Sequence, residues 1–175
     1  MKNKNLITEL NRMKRLSGIL LEEARVETKV GGMILKLDDY VKSEVQNIQV
    51  PEIYLDNNIT RLQEEKTHIT LTSIKNFKPY MDNFEDHISN IEIPSIKLGE
   101  AVFVRRDEID KISYVISIEN QEELKRYVDS LYEELGLENP EPDRFFHITI
   151  ANNKEGNPYE SIGDVTKADF IKWKI

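Results

Sequence analysis

His68-Ile69-Thr70-Leu71 and His147-Ile148-Thr149-Ile150 are near-identical tetrapeptides 79 residues apart. Each sits in a β-prone run, Thr67 to Ile74 and Phe145 to Ile150, and each run follows a helix and a turn. Two of the three histidines in the chain fall in these two places. Side chains alternate along a strand, so His68 and Thr70 point one way while Ile69 and Leu71 point the other. His147 and Thr149 behave alike. The isoleucine sides suit a core and leave the histidine–threonine sides for a cavity. With the two strands adjacent, two imidazoles and two hydroxyls converge.

Working outward, the apolar spacing of Leu6, Ile7, Leu10, Met13, Leu16, Ile19 and Leu20 predicts an amphipathic helix over 5–23. It forms an N-terminal extension, residues 1–26, ahead of a single domain over 27–175. Met33 to Leu37 reads as a strand, and Asp38 caps a helix from Asp39 to about Gln49. Ile59 and Leu62 suggest a short helix within 53–65. Pro79 opens a helix to about Asn90 that carries His87 on its surface. Ile93 to Leu98, Ala101 to Val104 and Ile112 to Ile118 read as extended, with a polar, solvated turn over Arg105 to Asp110. Gln121 to Leu135 is helical, with Leu124, Tyr127, Val128, Leu131 and Leu135 on one face and Gly136 behind it as a C-cap. Asn152 to Gly163 reads as loop and Ala168 to Lys174 as a last strand. The order predicts an α+β domain with helices packed on a mainly antiparallel sheet.

The composition narrows the function. Of 175 residues, 39% are hydrophobic and 32% charged, a balance that suits a soluble domain. The apolar runs are too short for a transmembrane helix, so no membrane partner is expected. No apolar segment follows the basic residues of 1–15, so no signal peptide is expected. The chain has no cysteine, which excludes disulfides, thiol catalysis and cysteine-ligated metal, and suits a reducing cytoplasm. A net charge of −8 disfavours long duplex nucleic acid and leaves room for a small anion in a local pocket.

Paired imidazoles and hydroxyls suit phosphodiester chemistry. Imidazole titrates near neutrality, so one ring can remove a proton from an attacking hydroxyl or water while the other protonates the leaving oxygen. Thr70 and Thr149 would then donate to the non-bridging oxygens. No metal or other cofactor is needed, and His68, His87 and His147 lack the tight spacing of a metal site. A nucleotide substrate also needs an aromatic platform, for which Phe77, Phe145, Tyr159 and the sole tryptophan, Trp173, are candidates. Arg105, Arg106, Arg144 and Lys75 are candidates for a second phosphate. A binding module that sequesters a nucleotide without chemistry is the competing reading, although binding alone does not require two titratable groups.

Paired His-hydrophobic-Thr-hydrophobic strands about 80 residues apart resemble the two-histidine (2H) phosphoesterase superfamily. That group includes RNA 2′,3′-cyclic phosphodiesterases, 2′-5′ RNA ligase-like proteins and phage anti-CBASS nucleases that degrade cyclic oligonucleotide signals. The resemblance implies a bilobal, pseudo-symmetric antiparallel sheet arrangement with outer helices around a central cleft. It implies His68 and His147 as the acid–base pair and Thr70 and Thr149 as phosphate-orienting hydroxyls. The stretch from Asn153 to Tyr159, with Trp173 after it, is closer to the phage members. This implies a cyclic oligonucleotide substrate in a bacterial or phage-infected cytoplasm, with 2′,3′-cyclic phosphates as the alternative.

Overall fold

The structure, a computed structural model, describes residues 23–29, 32–51, 58–77, 88 and 91–172. Among these residues there are seven strands in one antiparallel sheet and four α-helices. The strands are β1 (Arg25–Lys29), β2 (Gly32–Lys36), β3 (Thr60–Arg61), β4 (His68–Thr72), β5 (Leu98–Arg106), β6 (Lys111–Ile118) and β7 (His147–Asn152). The helices are α1 (Asp39–Asn47), α2 (Ile74–Phe77), α3 (Gln121–Glu134) and α4 (Lys167–Lys172). The sheet order is β1-β2-β4-β7-β6-β5, and β3 pairs with the far end of β7. This is the expected α+β class. No described helix is long and apolar enough to cross a membrane.

A hairpin, a helix and a strand occur twice: β1-β2-α1-β4, then β5-β6-α3-β7. The registers match closely. Leu35 pairs with Ile69 and Lys36 with His68 in the first set; Ile116 pairs with Ile148 and Ser117 with His147 in the second. Both sets carry a register shift at the same place, between Met33 and Ile34 and between Tyr114 and Val115. The motif strands meet at one register pair, Ile69 opposite Ile148.

One sheet face carries the main core. Met33, Leu35, Ile69, Leu71, Tyr114, Ile116, Ile148 and Ile150 pack there with Val41 and Val45 of α1 and Leu124, Val128 and Leu131 of α3. The caps are those expected. Asp38 accepts a hydrogen bond from the Val41 amide at 2.8 Å. Gly136 takes a left-handed conformation with φ 66°, and the Gly136 and Leu137 amides bond back to the carbonyls of Glu133 and Tyr132. The opposite face carries a smaller core of Val102, Val104, Val115, Ile162, Val165 and Phe170.

Several expectations are corrected. Residues 168–172 are helical, not extended: Thr166 and Asp169 form a capping pair, with the Thr166 amide donating to Asp169 Oδ2 at 2.8 Å. Residues 60–61 are the strand β3, and a 3-10 turn at Glu64–Lys66 follows, so Ile59 and Leu62 do not mark a helix. β5 begins at Leu98 and runs through Gly99, where a side chain would collide with Ser117 Oγ. The sheet already includes Arg25, inside the expected extension. Arg106 is not a solvated turn residue, because both its Nη atoms hold Asp169, at 2.9 and 3.0 Å. The helix over 5–23, apart from its last residue Glu23, and the surface position of His87 lie outside the described residues, as does the helix over 79–90 apart from the buried Ile88.

Leu131 is fully buried between α3 and the sheet. Leu131→Ala should lower the unfolding free energy by about 2–5 kcal/mol in a denaturant titration, through lost transfer energy and the remaining cavity.

Candidate active site

The motif residues are positioned by β4 and β7. Pairing of Ile69 with Ile148 sets His68 beside Thr149 and Thr70 beside His147, all four on the face opposite the main core. They line one small cavity of about 60 Å³ together with Leu62, Lys66, Pro158, Ser161, Ile162 and Gly163. A tetrahedral oxyanion or a few waters fit this space, and a nucleoside does not. Lys66, His68, Thr70, Pro158, Ser161 and Gly163 also line a second, much larger cleft of about 2240 Å³, so the cavity opens directly into it.

The chain leaves the β7 ladder between Leu62, whose amide bonds to Ile150 O at 2.8 Å, and Ile69. That bow frees backbone carbonyls beside the site. His68 Nδ1 lies 2.8 Å from Lys66 O. His147 Nδ1 lies 3.3 Å from Phe145 O. A carbonyl can only accept, so each Nδ1 carries a proton and each neutral ring keeps Nε2 as its basic atom.

The two histidines differ in burial. His147 is 8% exposed. Burial pushes its pKa down to about 4, against the pull of the Phe145 and Ile162 carbonyls, and the charges of Arg144 and His68 lower it further. His147 is therefore neutral at pH 7. His68 is less buried and faces the larger cleft.

A clamp joins the two motifs. Arg144 Nε donates to Thr70 O and its Nη1 to Glu141 Oε2, both at 2.9 Å. Glu141 in turn accepts from the Ser73 amide, the Ser73 hydroxyl and the Asn76 side chain. Burial would raise the Glu141 pKa, but these donors and Arg144 outweigh it and hold the carboxyl below its usual range. Gln121 adds a second tie: its amide donates to Phe146 O and accepts from Phe146 N, just before His147.

The aromatic candidates divide. Phe145 lines the large cleft and packs on Phe170, ring centroids 5.3 Å apart. Tyr159 is 65% exposed at the same cleft. Phe77 is fully buried in the main core and is corrected from a platform to a packing residue. Trp173 lies outside the described residues. Arg106 and Arg144 are held by carboxylates, and Arg105 pairs with Asp107. Lys75 is exposed and is not among the residues lining the cleft. Lys66 and Ser161 were not anticipated. They lie in a turn and a loop whose placement depends on long-range pairing, and no local pattern marks them. Among the described residues no group of three His, Cys, Asp or Glu side chains is gathered to hold a metal ion.

Burial of His147 has a measurable thermodynamic signature. Below its ordinary pKa of 6.5 the unfolded chain binds a proton at this ring that the folded chain does not. The penalty is absent above that value and grows as the pH falls towards about 4. The difference in stability between the wild type and His147→Gln should therefore shift by up to about 3 kcal/mol against the wild type between pH 7 and pH 4, read from denaturant unfolding. A pH-independent difference would mean that the ring is solvated.

Compared with known proteins, the chain matches no family model, no curated protein and no solved structure.

Proposed function

We propose that this protein is a phosphodiesterase of the two-histidine kind, acting on a small nucleotide substrate by general acid–base catalysis. The observation that carries the reading is the common cavity of His68, Thr70, His147 and Thr149, built symmetrically around one strand pair. The doubled hairpin-helix-strand order, with the four motif residues on the sheet face away from the main core, fits the bilobal arrangement of that superfamily.

In this reading the deeper burial of His147 supports one division of roles. Neutral His147 Nε2 takes the proton from the attacking oxygen, and the new P–O bond forms. Protonated His68 gives its proton to the leaving oxygen as the old P–O bond breaks. Thr70 and Thr149 donate to the non-bridging oxygens, where negative charge accumulates. His147 leaves the step protonated and His68 neutral, and a proton exchange with water restores both. No metal takes part in this scheme.

The large cleft bears on substrate size. At about 2240 Å³ it exceeds what a mononucleotide fills and accommodates an oligonucleotide of a few residues. Phe145 and Tyr159 along it offer ring faces for bases. These features favour a cyclic oligonucleotide, opened either by water or by its own ribose 2′-hydroxyl. A 2′,3′-cyclic phosphate is the second substrate class for the same cavity.

Cyclic di- and trinucleotides and 2′,3′-cyclic mononucleotides, incubated with the protein in EDTA and read by mass spectrometry, should show cleavage of at least one class. His68→Ala and His147→Ala should each lose about 10²–10⁴-fold in rate while remaining folded. In the wild type, kcat/KM should fall on the acid side with a midpoint near about 4, as His147 becomes protonated. Binding without turnover, or full activity in both alanine variants, would overturn the proposal.

A further inference from the structure

The C-terminal part of the chain brings a hydroxyl to the cavity that the two motifs do not supply. Ser161 lines the cavity beside His68, Thr70, His147 and Thr149. Its orientation follows from its neighbour Asn152, which is fully buried at the end of β7.

The amides of Lys154 and Gly156 both reach the Asn152 side chain, each at 3.0 Å. Backbone amides only donate, so the atom that they meet is Oδ1. The other side-chain atom is then Nδ2, a donor. It reaches the Asn157 carbonyl at 2.8 Å and Ser161 Oγ at 2.9 Å. Ser161 Oγ is therefore the acceptor in that pair, and its own proton is left over. Among the described residues no protein acceptor takes it.

The surroundings hold this arrangement in place. The register shift in β7 leaves Ala151 in the main core and pairs Asn152 with Ser113. Ser113 Oγ accepts the Ile162 amide at 3.0 Å, which fixes the residue after Ser161. Gly156 keeps the turn tight with φ 69°, where a side chain would press on Arg61 O. The loop is thus tied down on both sides of Ser161.

We infer that Ser161, oriented by Asn152, is a third hydroxyl donor to a non-bridging oxygen of the bound phosphate. This rests on the phosphodiesterase reading above. It makes Ser161 a catalytic residue and Asn152 a positioning residue. Thr70 and Thr149 come from the floor of the cavity and Ser161 from the covering loop, so the phosphate is held from two sides.

The experiment uses two readouts on the full chain. Turnover is followed on the nucleotide panel, and binding of inorganic phosphate is followed by NMR through the ring resonances of His68 and His147. Ser161→Ala should lose about 10²–10³-fold in kcat, the range for one lost oxyanion donor, and should bind phosphate several-fold more weakly. Ser161→Thr should recover most of both. Ser161→Cys retains a group for Asn152 to meet but donates poorly, and should behave like Ser161→Ala even where the alanine variant unfolds. Wild-type turnover and phosphate affinity retained in Ser161→Ala or Ser161→Cys would overturn the role of Ser161 and leave the phosphodiesterase reading intact. A wild type that neither turns over the panel nor binds phosphate would overturn both.

Discussion

The pairing of Ile69 with Ile148 is the contact on which the rest of the structure depends. On one side of the sheet these residues, with Leu71 and Ile150, form the apolar floor that α1 and α3 cover. On the other side the same pairing brings His68, Thr70, His147 and Thr149 to one cavity. Because side chains alternate with a period of two, a slip by one residue would bury the imidazoles and expose the isoleucines. Hydrophobic burial therefore fixes the register, and the register fixes the polar geometry.

The two halves share a plan but not an environment. The second half is covered by the segment after β7, where Ile162, Val165 and Phe170 pack on Val102, Val104 and Val115. That cover buries His147 and keeps it neutral. His68 is less buried and lines the larger cleft. The Arg144–Glu141 clamp then keeps both strands in register across the point where they share only one pair. Its charged groups are shielded and nearly fully hydrogen-bonded, so loss of one partner strands the other.

Much of this was legible in the sequence because it is local. The four motif residues, the Asp38 cap, α3 and the Gly136 stop each carry a short-range signal in periodicity or capping chemistry. The clustering of the motifs follows from strand alternation once the strands are adjacent. The rest needed tertiary information. β3 is two residues long and is defined by its partner β7, so its own composition says little. Phe77 follows β4 closely enough to suggest the cavity, but α2 turns it into the core. The fork of Arg106 spans residues far apart in the chain, and its neighbours Arg105 and Asp107 suggest only a polar turn. Thr166-Lys167-Ala168-Asp169 was a readable helix start, and the β-branched and aromatic residues around it hid that signal.

The segment covering the cavity is fastened at several points: Asn152 at its root, Ser113 against Ile162, and the Arg106 fork on Asp169 near its end. Such a cover does not swing like a door, because lifting it would break buried hydrogen bonds and expose the smaller core. The cavity meets the large cleft along the residues that line both, Lys66, His68, Thr70, Pro158, Ser161 and Gly163. With that cover fixed, the dimensions of the small cavity are set by the fold itself and not by a moving part.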